Sequence, residues 1–251
     1  MSEAAAALYV YGVVSASTQP EGTGIGSRPV ELVSEGDVAA LVSTVPADEF
    51  GESALRERLE DRAWLERTAR EHEDTLERAL AATAVIPFRL CTVYESREGL
   101  REFLSTHGAA LAELLRRLDG RVELGVKAYF AEAAAPRDEA QSGREYLLRR
   151  QRERDAAEEA ARFKVECARA SHERLAAAAE EARANPPQPP ELSGRTEEML
   201  LNGAYLVRRD DGRLAEAVAE LESLYGPRGV TYEVTGPWPP YNFVPPEVVG
   251  T

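Results

Sequence analysis

After its first residue, the stretch from Gly143 to Ala184 contains no glycine or proline. Tyr146, Ala156, Ala160, Phe163, Cys167, Ala170 and Ala178 recur within it at near-helical spacing. The run therefore predicts one helix over about 143–184, roughly 40 residues and about 60 Å at 1.5 Å per residue. A helix of that length cannot be enclosed by the core of a 251-residue chain, so it must project from its domain or pair with another helix. Asn185-Pro186-Pro187-Gln188-Pro189-Pro190 ends it and imposes a stiff, extended connector.

The residues before this run alternate between two periods. Leu8-Tyr9-Val10-Tyr11-Gly12-Val13-Val14 is β-branched and aromatic on both alternating faces, the pattern of a strand covered on both sides. Val30–Val33 and Val38–Val45 flank Ser34-Glu35-Gly36-Asp37, a quartet that suits a hairpin turn. From Arg62 to Thr83, Leu65, Ala69, His72, Leu76 and Leu80 mark one helical face. Val85-Ile86-Pro87-Phe88-Arg89-Leu90 reads as a short strand, with Pro87 confined to an edge, a bulge or a strand end. A second helix follows behind the N-cap Ser96, its stripe built from Leu100, Leu104, His107, Leu111, Leu114 and Leu118.

The second half opens with a strand in which Val122, Leu124, Val126, Ala128 and Phe130 alternate with polar neighbours. Beyond the long helix come a strand at Ala204–Val207, a helix from Leu214 to Tyr225 and a strand at Val230–Val234. The expected fold class is α+β in two domains, each a small sheet with helices on one face, related to the ferredoxin-like plan. Residues 1–119 form the ferredoxin-like N-terminal domain. Residues 120–251 form a helix-rich α+β C-terminal domain that carries the long helix and an aromatic and proline-rich tail at 236–246.

Charge limits the partners. Thirty Lys and Arg against 44 Asp and Glu leave a net charge of −14, which repels phosphate backbones and anionic headgroups, so neither nucleic acid nor a membrane surface is an expected partner. No segment reaches the apolar length of a bilayer span, and the start of the chain lacks the basic and apolar regions of a secretory signal. The expected location is cytoplasmic.

Reactive groups are few. Cys91 and Cys167 lack an adjacent activating histidine and a Cys-x-x-Cys arrangement, so they read as buried structural thiols. His72, His107 and His172 lie on three different helices, and a metal site would require all three to converge. Gly22-Thr23-Gly24-Ile25-Gly26 lacks the spacing and the Lys-Ser/Thr of a phosphate loop, and reads as a flexible hairpin loop. No catalytic, cofactor or metal residue is assigned, and the protein is not expected to be an enzyme. Trp238, Tyr241 and Phe243, set among Pro237, Pro239, Pro240 and Pro245, have two readings: a latch that fastens the tail to its own domain, or an aromatic docking strip for a partner.

Four stretches together resemble the gas vesicle protein F/L family. They are Leu8 to Val14; His72-Glu73-Asp74-Thr75-Leu76 followed by Val85 to Tyr94; Gly120 to Lys127; and Val234-Thr235-Gly236-Pro237-Trp238-Pro239-Pro240-Tyr241-Asn242-Phe243-Val244. Each alone is weak, whereas their order and spacing over residues 8–244 are specific. The resemblance implies a two-domain α+β protein that helps build gas vesicles, which are gas-filled protein shells. It also implies contacts with the small hydrophobic shell subunit and other gas vesicle accessory proteins, without catalysis. Cys91 departs from the pattern, standing where many relatives carry glycine. The resemblance does not separate F-like from L-like members. The rival expectation, from a different class, is a ligand-binding regulatory module built on ferredoxin-like sheets.

Overall fold

The computed structural model describes residues 6–131, 143–190 and 194–246. The chain forms two compact units, one running to Glu123 and taking back the tail from Pro237, the other spanning Leu124–Gly236. The sequence reading grouped that tail with the second half; its contacts lie in the first.

The first unit is organised around β1 (Ala6–Ser15), whose residues from Ala7 to Val14 are all buried. On one side β1 pairs antiparallel with β3 (Val38–Pro46), which pairs in turn with β2 (Glu31–Glu35) across the turn at Gly36. On its other side β1 meets two short strands, β4 (Ile86–Pro87) and β5 (Val93–Tyr94). The order is β2-β3-β1-β4, with β5 also paired to β1. Pro87 therefore sits on an edge strand, where its missing N–H costs least. The strand expected at 85–90 is shorter, because the chain leaves the ladder after Phe88 and returns when Thr92 accepts from Val10 N–H at 2.9 Å.

Two short helices, α1 (Ala47–Phe50) and α2 (Glu52–Arg58), which the periodicity does not disclose, lead into α3 (Arg62–Ala82). Asp61 caps α3 by accepting from the N–H groups of Ala63 and Trp64. Helix α4 (Arg97–Leu118) begins behind Ser96, whose hydroxyl accepts from Gly99 N–H, and touches all five strands. Tyr9 and Tyr11 turn their rings onto His72 of α3, while the alternate residues Leu8 and Val10 are equally buried. The unit thus has a helix on each face of its sheet, not on one face as expected. A loop stands where a ferredoxin-like plan has its first crossover helix.

The second unit follows the βαββαβ plan more closely. Its elements are β6 (Arg121–Phe130), α5 (Gly143–Ala176), β7 (Glu181–Asn185), β8 (Glu198–Arg208), α6 (Arg213–Tyr225) and β9 (Val230–Trp238). The sheet order is β7-β8-β6-β9. Helix α5 ends eight residues earlier than expected, and Glu181–Asn185 forms an edge strand in register with Leu206–Asn202 of β8. Alanine, arginine and glutamate favour helix in isolation, but pairing with β8 overrides that preference. Cys167, Ser171 and Leu175 of α5 are buried against the sheet. Residues 146–159 are exposed on nearly every side, Arg149 being only half-buried.

Two backbone positions lend themselves to test. A Cβ at Gly12 would lie 2.4 Å from the carbonyl oxygen of Ile86, next to the bulge that separates Val10 from Gly12 in the pairing with β3. Gly12→Ala is expected to lower stability by about 2 kcal/mol or more, read as a lower urea midpoint. Cys91 has φ of +63°, a left-handed conformation that favours glycine. Cys91→Gly is expected to raise the urea midpoint, by about 0.5–1 kcal/mol in stability; an unchanged or lower midpoint refutes strain at this position.

Candidate functional site

The polar groups of the first unit gather along α3, between β1, the glycine-rich loop and the tail. Tyr9 Oη lies 2.9 Å from His72 Nδ1 and accepts from the backbone N–H of Cys91 at 3.2 Å. With its lone pair engaged by Cys91, Tyr9 is assigned as donor to Nδ1, which leaves the imidazole proton on Nε2. No partner reaches hydrogen-bond geometry at the buried Nε2 among the described residues. Burial drives the His72 pKa down to about 4, with a smaller upward contribution from the Phe88 backbone. Burial raises the Tyr9 phenol well above its usual range. At neutral pH this pair is an uncharged hydrogen bond, not a poised acid and base.

Tyr11 fastens the glycine-rich loop. Its hydroxyl donates to Ser43 Oγ at 2.9 Å and accepts from Ile25 N–H at 2.7 Å, and the Ser43 hydroxyl donates in turn to the Pro29 carbonyl at 2.9 Å. Gly26 N–H donates to Glu71 Oε2 at 3.0 Å, and Arg78 donates to the Thr23 carbonyl at 2.6 Å. In a phosphate loop these amides would point at a ligand. Here a tyrosine hydroxyl and a carboxylate of the protein take them, so the loop is pinned, contrary to the flexible loop expected. Between it and α3 lies a cleft of about 300 Å³ whose lining includes Pro20, Val30, Leu41, Thr75, Arg78 and Ala79.

The tail binds the same unit. Tyr241 Oη donates to Glu73 Oε1 at 2.8 Å. Asn242 donates through its backbone N–H at 2.8 Å and its side-chain amide at 2.6 Å to the carboxylate of the buried Glu123. Arg117 donates to the Phe243 carbonyl. Burial raises the Glu73 pKa, opposed by the bond from Tyr241 and assisted by Glu77 and Asp74. The three aromatic residues singled out in the sequence are thus placed differently. Phe243 is a core residue at 1% exposure, Tyr241 is half-buried with its hydroxyl engaged, and Trp238 is half-buried at the end of β9. Tyr241 and Phe243 thus fasten the tail to the first unit. Glu73 and Glu123 were not foreseen as its anchors; the signal available was a glutamate beside a core-facing histidine on α3.

The remaining candidates are structural in their surroundings. Burial pushes the Cys91 thiol up to about 11 and also raises that of Cys167, which lies 3.9 Å from both the Ser171 and Tyr232 hydroxyls. Both are thiols at neutral pH, not nucleophilic thiolates. The His107 ring lies 4.7 Å from that of Phe103, tilted by 42°, and His172 lies 3.0 Å through Nδ1 from the Tyr205 hydroxyl. Among the described residues, no group of three or more His, Cys, Asp or Glu is placed to hold a metal ion, and no helix is long and apolar enough to cross a membrane.

His72 gives the site a pH signature. Its folded-state pKa lies below the unfolded value near 6.5, so the unfolded chain takes up the proton first as pH falls. The associated stability is complete above about 6.5, is lost as pH falls towards 4, and totals about 3 kcal/mol. The raised pKa of Glu73 works in the opposite direction. Urea unfolding between pH 7 and 4.5 is expected to show a shallower loss for His72→Leu than for the wild type. Equal slopes would remove His72 as the cause.

Known proteins resemble this chain over nearly its whole length. The sequence profile described as "Gas vesicle synthesis protein GvpL/GvpF" matches residues 7–245. "Gas vesicle protein L" of Streptomyces sp. (strain CB03234) is 39% identical over 249 residues, covering 94% of this chain and 91% of that protein. "Gas vesicle protein F" of the same strain is 30% identical, covering 94% and 98%. The crystal structure of GvpF from Anabaena sp. PCC7120 superposes with a TM-score of 0.70 at 22% identity, covering 95% of each chain. That of GvpF from Microcystis aeruginosa gives 0.66 at 19% identity, covering 94% and 98%.

Proposed function

Because this chain belongs to the gas vesicle GvpL/GvpF family, we propose that it is an accessory protein of gas vesicle assembly, working by contact with the shell subunit and with other gas vesicle proteins. Its place is in the cytoplasm and on the growing vesicle. The observation that carries this reading is the family match across residues 7–245. The higher identity to the L relative than to the F relative supports an L-like role.

The chemistry agrees with a role played by surfaces. The hydroxyls and carboxylates that cluster along α3 are bonded to one another, to the loop and to the tail, an arrangement that maintains a fold and offers no activated nucleophile. A net charge of −14 opposes aggregation of this chain while an apolar shell subunit polymerises beside it. Within the tail, Tyr241 and Phe243 serve as anchors, and Trp238, at the end of β9, is the ring we assign to partner contact. The cleft beside α3 keeps a second reading in view, a small-molecule regulator bound near Arg78.

Co-expression with the shell subunit tests the assignment. The tagged wild type is expected to capture the shell subunit, and Trp238→Ala to keep its melting temperature and lose most of that capture. Capture by both proteins alike would return Trp238 to the latch, and capture by neither would sink the assembly reading. A saturable rise in melting temperature with amino acids or nucleotides, abolished by Arg78→Ala, would favour the regulator.

A further inference from the structure

Helix α5 carries a self-complementary face. At 100° per residue, Leu147, Gln151, Arg154, Glu158, Ala161 and Val165 fall within roughly 40° of one line along the helix, over about 27 Å. All six are exposed. Leu147 and Val165, at the two ends, are 69% and 71% exposed, among the most exposed large apolar side chains described. The residues packed against the sheet, Phe163, Cys167, Ser171 and Leu175, lie on the other side of the helix, Phe163 and Cys167 each pointing about 160° away from the stripe. The charged pair at its centre is related by reversal: an arginine four residues before a glutamate, 3.7 Å apart within one helix.

We propose that two copies of this chain associate through α5, packed antiparallel about a two-fold axis midway between Arg154 and Glu158. That axis sets Leu147 against Val165 of the second copy, Gln151 against Ala161, and Arg154 against Glu158, and repeats each pair by symmetry. The interface is isologous, as a two-fold requires. Its charges fix direction and register, because parallel packing would oppose like charges, while the two apolar ends supply the buried area. A second copy is the occupant because the face is complementary to itself in both charge and apolar position. The contact is far smaller than a standard protein interface, so the dimer is weak and reversible, with a dissociation constant on the order of 100 µM. Accessory copies would then pair only where they are concentrated, as at a growing shell. The pairing itself does not rest on the gas vesicle reading.

Sedimentation velocity on the full chain from about 5 to 500 µM tests the inference over the range that straddles that constant. The wild type is expected to shift from monomer to dimer with concentration, and to do so less at high salt. Arg154→Glu and Glu158→Arg are each expected to weaken the dimer roughly tenfold or more. The double reversal in one chain, or an equimolar mixture of the two single variants, restores it. Circular dichroism must show unchanged helix content in every variant. A wild type that stays monomeric throughout, or single reversals that dimerise normally, overturns the proposal. So does loss of shell-subunit capture by Leu147→Glu in a chain that is monomeric at all concentrations, which would assign the face to that partner.

Discussion

The burial of β1 on both faces is the constraint from which most of the first unit follows. A strand with no wet side must still place two tyrosine hydroxyls, at Tyr9 and Tyr11, and each unpaired hydroxyl in such surroundings would cost about 1–3 kcal/mol. Tyr9 meets this demand with His72 and the Cys91 amide, Tyr11 with Ser43 and the Ile25 amide. These bonds determine which face of α3 turns inward, why the loop before β2 folds back, and why the chain breaks its ladder between β4 and β5. Polar burial here orders the backbone, in the sense that each bond is made to a segment distant in sequence.

Much of this architecture was legible in the residues. Leu8–Val14 announced a doubly covered strand, Ser96 marked the start of α4, and the α3 stripe included His72 as an inward residue. The parts that were not legible are those decided by tertiary pairing. Glu181–Asn185 has the composition of a helix and becomes a strand only because β8 offers an edge. The gap between β4 and β5 depends on a left-handed residue at Cys91, which no local propensity signals. The side to which the tail binds depends on Glu73 and Glu123, separated from Tyr241 and Asn242 by more than a hundred positions, a distance over which periodicity carries no information.

The two units solve the same sheet order differently. Both have the sequence of neighbours 2-3-1-4 within their own strands. In the second unit α5 and α6 cross over as helices and touch each other. In the first, the missing crossover helix is replaced by a loop held by side-chain bonds, and α4 is added after the last strand to cover the opposite face. A loop can substitute for a helix where its backbone amides find fixed acceptors, as Ile25 and Gly26 do.

Phe243 and its neighbours complete a core whose other members were all synthesised before Lys127. On a ribosome, about 120 residues separate the end of α4 from the tail, an interval of roughly 6–25 s at 5–20 residues per second. Throughout that interval the nascent first unit lacks Phe243 and Val244, both buried in the finished protein, and the carboxylate of Glu123 lacks the two Asn242 donors. Maturation of the earlier-made half therefore waits for a segment translated about 120 residues later.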